Sequence, residues 1–102
     1  METSLLSDAV ILRINLLFPP EQQKKVSQLL HYECGNNLSS GRNIDTNGLD
    51  RVRFAALKLS DGNMDKLENA IAVAKLDWRD LLMAAAFGDV HAHEEWLPTK
   101  RW

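Results

Sequence analysis

The sequence predicts an all-α fold: a compact single domain of five to six short helices over 102 residues. Three observations predict it. Apolar residues recur at helical spacing along most of the chain, good capping residues stand where those stretches begin, and the one run that could be a strand has no second strand to pair with. With 45% hydrophobic and 25% charged residues, the chain has the apolar mass of an ordinary globular domain and enough of it for one core.

In the ambiguous run, Val10, Leu12, Ile14, Leu16 and Phe18 alternate as one strand face would, while on a helical wheel the segment is apolar nearly all round. An isolated strand leaves its backbone groups unbonded, so a helix is expected, with Ser7 as cap and Leu6 and Ile11 as a hydrophobic staple. A helix apolar on all sides belongs at the centre of the core or in a homodimer interface formed by residues 5–18. Pro19-Pro20 ends it and opens a second helix, with Glu21 in the first turn and Val26, Leu29, Leu30 and Cys34 on one face.

Residues 35–48 concentrate Gly, Asn and Ser and read as one long loop. A third helix is expected from Thr46 or Asn47, with Leu49, Val52, Ala56 and Leu59 inward and Arg51, Arg53 and Lys58 mostly outside that stripe; Asp61-Gly62 closes it. Asn63 is placed to cap a fourth, carrying Leu67, Ala70, Ile71 and Ala74. Within LDWRDL, Asp77 is a good N-cap, Asp80 follows three residues on, and Leu76 and Leu81 are spaced as a staple, so a fifth helix is expected there, stopping at Gly88. Asp89 would cap a short last helix reaching Trp96, where Pro98 blocks extension, and residues 98–102 are expected to be a flexible tail.

Composition narrows function mainly by exclusion. A net charge of -2 gives no long-range positive field, which disfavours nucleic acid as a partner. Cys34 is the sole cysteine, so neither an intrachain disulfide nor a thiolate-rich zinc site is available, and a reducing, cytoplasmic setting is expected. LLSDAVILRINLLF is interrupted by Asp8, Arg13 and Asn15, lacks a basic leader, and is shorter than the roughly 18–20 apolar residues of a membrane span, so no membrane association is expected.

The run from Leu49 to Leu97 resembles a group of small, uncharacterised bacterial proteins through FAALKLS, DWRDLL and the late histidine followed by tryptophan; ECGNNL in the first half is similar too. The resemblance covers about half the chain and implies an ordered bacterial cytoplasmic protein. It implies no activity, cofactor or catalytic residue.

The segment DVHAHEEW offers His91, His93 and Glu95 as metal ligands, but on a helix the two histidines point about 200° apart, and each remaining pair supplies too few ligands for a closed zinc site. A solvated, cap-like role is the stronger reading. Cys34 paired with a histidine could act as a nucleophile, but a cysteine on an apolar helix face is more simply a core thiol. Residues 64–87 have the outline of a helix-turn-helix, yet WRDLLMAAAF presents only Arg79 for bases or phosphate. The Arg51, Arg53, Lys58 face is bordered by Asp50 and Asp61 and reads as a solvated charged face. No phosphate loop or nucleophile elbow is present, no cofactor is implied, and the balance points away from an enzyme.

The expected function is a small cytoplasmic protein-interaction or regulatory module, with Trp78, Arg79, His91 and Glu95 as its candidate surface, because Trp and Arg are enriched among binding hot spots. The partner would be another protein or a second copy of the chain. Alternatives are a DNA-associated regulator using residues 64–87 and a small metal- or thiol-dependent enzyme.

Overall fold

The computed structural model of the chain describes residues 6–33, 46–87 and 92–102. Two of its helices begin where a side chain bonds an N–H group that the first turn leaves free. Helix α1, Asp8–Leu17, is capped by Ser7, whose hydroxyl accepts from the Val10 N–H at 3.2 Å. Helix α2, Pro20–Glu33, starts on a proline whose fixed φ suits that position. Helix α3 spans Thr46–Ser60, so it takes up the last residues of the loop expected at 35–48. Helix α4, Met64–Ala84, is capped by Asn63, whose side-chain oxygen accepts from the Lys66 N–H at 2.9 Å. A 3-10 turn, Ala92–Glu95, follows. Cys34, Asp89 and His91 lie outside the described residues, as does most of the expected loop.

The expected five to six helices are therefore four α-helices and one 3-10 turn, with no strand among the described residues. The count falls because two expected helices are joined. Asp77 is extended, at φ -159° and ψ 102°, and its carboxylate accepts from the Arg79 N–H at 3.0 Å, as an N-cap does. One residue makes the break, so the elements on either side form a single bent helix. The Leu76–Leu81 staple does not form: Leu81 is fully buried, while Leu76 stays on the outer face. Of the expected last helix, the described residues Ala92–Glu95 form a 3-10 turn.

The central element is α3 rather than α1, which corrects the expectation from the first segment's apolar run. Val52, Phe54, Ala55, Ala56 and Leu57 of α3 are all buried, and α1, α4 and the 3-10 turn pack around it. α1 contributes Val10, Ile14 and Leu17 to the same core from one face, while Asp8, Ala9, Leu12 and Asn15 remain exposed. Among the described apolar residues of this segment, Leu6, Val10, Ile14, Leu17 and Phe18 are buried within the chain and Leu12 is exposed. α2 adds Val26 and Leu30, and α4 adds Leu67, Ile71, Ala74, Leu81 and Leu82. The Cα radius of gyration, 12.2 Å, is near the roughly 13 Å expected of a compact fold this long.

The end of α1 shows how the chain closes on itself. The residues that would donate to the Asn15 and Leu16 carbonyls in a continuing helix are positions 19 and 20, and both are prolines without an N–H. Replacement donors come from the last residues of the sequence. The Arg101 N–H donates to the Leu16 carbonyl at 2.9 Å, and the Trp102 indole N–H donates to the Asn15 carbonyl at 2.8 Å. The Arg101 guanidinium also pairs with Asp61 in the α3–α4 turn. Gly62 of that turn, at φ +81°, lets the backbone come so close that a Cβ there would stand 2.9 Å from the Leu17 carbonyl oxygen. Residues 98–102, expected to be a flexible tail, therefore run as a strap across the end of α1.

α4 ends at Ala84, four residues before the expected Gly88 stop. Ala86 takes the left-handed conformation, φ 64°, its N–H donating to the Met83 carbonyl at 3.1 Å and the Phe87 N–H to Leu82 at 2.8 Å. This is the Schellman arrangement, with alanine where glycine is usual.

Candidate functional site

Two regions carry the sequence-predicted site residues, and they differ in character. The first is a buried cage around His93. The 3-10 turn sets this imidazole 2% exposed against α3, its ring centroid 5.1 Å from that of Phe54 and 6.3 Å from that of Phe87. Trp96 closes the cage, 6.2 Å from Phe54 and 6.0 Å from Phe87. A solvated, cap-like role for His93 is therefore corrected. Only two residues of the turn separate His93 from Trp96, and both face the same aromatic wall.

Two cations complete the cage. Arg13 of α1, only 7% exposed, lies 4.2 Å above the Phe54 ring, and its Nε and Nη1 donate to the carbonyls of Trp96 at 3.0 Å and Ala9 at 2.9 Å. Lys58 of α3 stands 4.7 Å above Phe87 and donates to the Ala85 carbonyl at 2.9 Å, at the end of α4. Cations over aromatic faces gain more where water is excluded. Burial pulls the Arg13 pKa down, and Asp50 opposes that. Burial likewise lowers the His93 pKa, so the imidazole is neutral near pH 7, and its Nδ1 has no hydrogen-bond partner.

The basic face expected on α3 is not a free patch. Arg53 is buried, and Lys58 is committed to Ala85 and Phe87. Residues 64–84 carry two helical segments, but these meet at the extended Asp77 with no intervening loop. Among the described residues no group of three or more His, Cys, Asp and Glu side chains is placed to hold a metal ion. No helix of the described residues is long and apolar enough to cross a membrane.

The second region is the outer face of α4. Trp78 is half-buried and packs against the core, while Arg79 is exposed at the bend, its guanidinium 6.0 Å from the Trp78 ring and 3.4 Å from Asp77. Glu95 is exposed on the 3-10 turn, which packs on α3. The Trp78 indole N–H is buried without a partner.

Residues that the sequence did not single out as a surface dominate this face. Leu76 is 82% exposed, Met83 71% and Val73 40%, with Ala72 and Ala84 also outward. Val73 borders a shallow depression of about 260 Å³ lined by Leu59, Lys66, Asn69 and Ala70. A 2.7 Å ion pair between Lys75 and Glu33 ties the face to α2, whose Tyr32 is also exposed and lines a second depression of about 300 Å³ with Lys25, Gln28 and Leu29. The signal for Leu76 and Met83 was present in the helical spacing. Counted from the buried Leu67, Ile71 and Ala74, position 76 falls outside the inward stripe, as does 83 counted from Leu81, Leu82 and Ala85.

Comparisons with protein-family models, curated proteins and solved structures return no match for this chain. The motifs of the resemblance mark joints of the fold. FAALKLS is the largely buried C-terminal half of α3, DWRDLL spans the bend, and His93 and Trp96 lie in the cage.

Proposed function

We propose that the protein is a small helical protein-interaction module that docks a partner on the outer face of α4. The observation that carries this reading is the exposure of Leu76, Met83 and Val73 along one helix whose opposite face is fully packed. Clustered large apolar side chains on a surface mark interaction sites more often than singly scattered ones do. Trp78 and Arg79 at the bend supply the residue types that dominate binding energy, one packed against the core and the other exposed beside Asp77. Lys66, Glu68, Lys75 and Asp80 surround the apolar strip with both charge signs, which gives it a polar rim.

The test is photo-crosslinking in a native extract from probes placed at position 76 or 83, with a control probe at the exposed Ala9 of α1. Discrete adducts from 76 and 83 that are missing from position 9, and that disappear in a Leu76→Asp/Met83→Asp variant with unchanged circular dichroism and melting temperature, support the reading. Adducts that are the same from all three positions, or that survive the double substitution, contradict it.

A further inference from the structure

We propose that residues 92–102 are a pH-released strap: protonation of His93 inside its aromatic cage unseats the 3-10 turn and, with it, the donors that close the end of α1. This goes beyond the docking face on α4 and does not depend on it. The argument starts from crowding of charge. The faces of Phe54 and Phe87 that could stabilise an imidazolium already carry Arg13 at 4.2 Å and Lys58 at 4.7 Å. A proton on His93 would add a third cation to a site from which water is excluded, with Nδ1 unable to reach an acceptor.

The charges acting on the imidazole come from each element around it: Arg13 on α1, Asp50 and Arg51 on α3, and Glu94 on its own turn. Burial is the main reason that its pKa lies below the ordinary value; Arg51 and Arg13 act in the same direction, and Glu94 and Asp50 oppose them. A folded-state pKa below the unfolded value of 6.5 means that the seated strap is fully favoured above that pH and loses ground as pH falls below it. Unseating is transmitted along a short path. Trp96 follows His93 by three residues and its carbonyl is held by Arg13, and five residues further on Arg101 bonds Leu16. Release would expose Phe54 and Phe87 and leave the Asn15 and Leu16 carbonyls to water.

The experiment is nuclear magnetic resonance of the full chain between about pH 7.5 and about 5, a range that brackets an ordinary histidine. It follows the Arg101 amide, the Trp102 indole N–H and the His93 ring. The two strap signals should leave their bonded positions together with the His93 titration, at a midpoint below 6.5, with opening rising by at most about tenfold per pH unit, the limit for one proton. His93→Leu should hold both signals fixed across the range, and His31→Gln should respond as the unsubstituted chain does. If His93→Leu does not fold, His93→Phe replaces it. The proposal is overturned if the His93 ring titrates while the strap signals stay in place, if the ring stays neutral throughout, or if the strap moves equally without His93.

Discussion

At Pro19-Pro20 the chain leaves two carbonyls of α1 without local donors and answers them from Arg101 and Trp102, more than eighty residues away. At Asp77, by contrast, the residue that breaks α4 also bonds the next turn, through an acceptor two residues from its donor. Both are interruptions of helix, but one is closed by tertiary structure and the other by its own side chain. The difference teaches where stability and legibility lie. A break repaired locally is cheap to disturb and visible in sequence, whereas a break repaired at long range couples two ends of the chain and leaves no local trace.

The contrast makes ordered predictions. Stopping the chain after Trp96 removes both replacement donors and the Arg101–Asp61 pair, and should cost about 2–3 kcal/mol in urea unfolding, at about 1 kcal/mol per lost hydrogen bond with the remainder from lost packing. Gly62→Ala attacks the same joint through backbone strain and the close approach to Leu17, and should cost about 1–2 kcal/mol. Asp77→Ala should cost about 1 kcal/mol, an ordinary loss of a cap, while Asp77→Asn stays within a few tenths because asparagine accepts the same bond. Ala86→Gly should act with the opposite sign, a gain of about 0.5–1 kcal/mol measured as a rise in melting temperature, since the left-handed position then carries no Cβ. An effect of Asp77→Ala larger than that of the truncation would reverse the comparison.

What the sequence made legible follows the same division. Ser7, Asn63 and Asp77 stand at helix starts because capping is a bond between near neighbours, and the side chain alone announces it. The helical character of α1 was legible because a lone strand has no partner. The central place of α3 was not, because its Arg51, Arg53 and Lys58 look like a solvated face until Arg53 is buried and Lys58 finds Ala85 and Phe87. His93 reads as polar and exposed; only the meeting of Phe54, Phe87 and Trp96 from separate elements makes a place for it. On the outer face of α4, Trp78 and Arg79 stand out by residue type, whereas Leu76 and Met83 are legible only as positions outside the inward stripe of the helix.

The most direct test of the central contrast is native-state hydrogen exchange on the chain stopped after Trp96, read residue by residue against the full chain. Loss of protection concentrated in the last turn of α1, at Leu16, Leu17 and Phe18, with α4 on both sides of Asp77 changed far less, is the result the account predicts. Protection lost equally from α1 and α4, or an α1 whose last turn exchanges as slowly as before, would show that the strap does not close that helix.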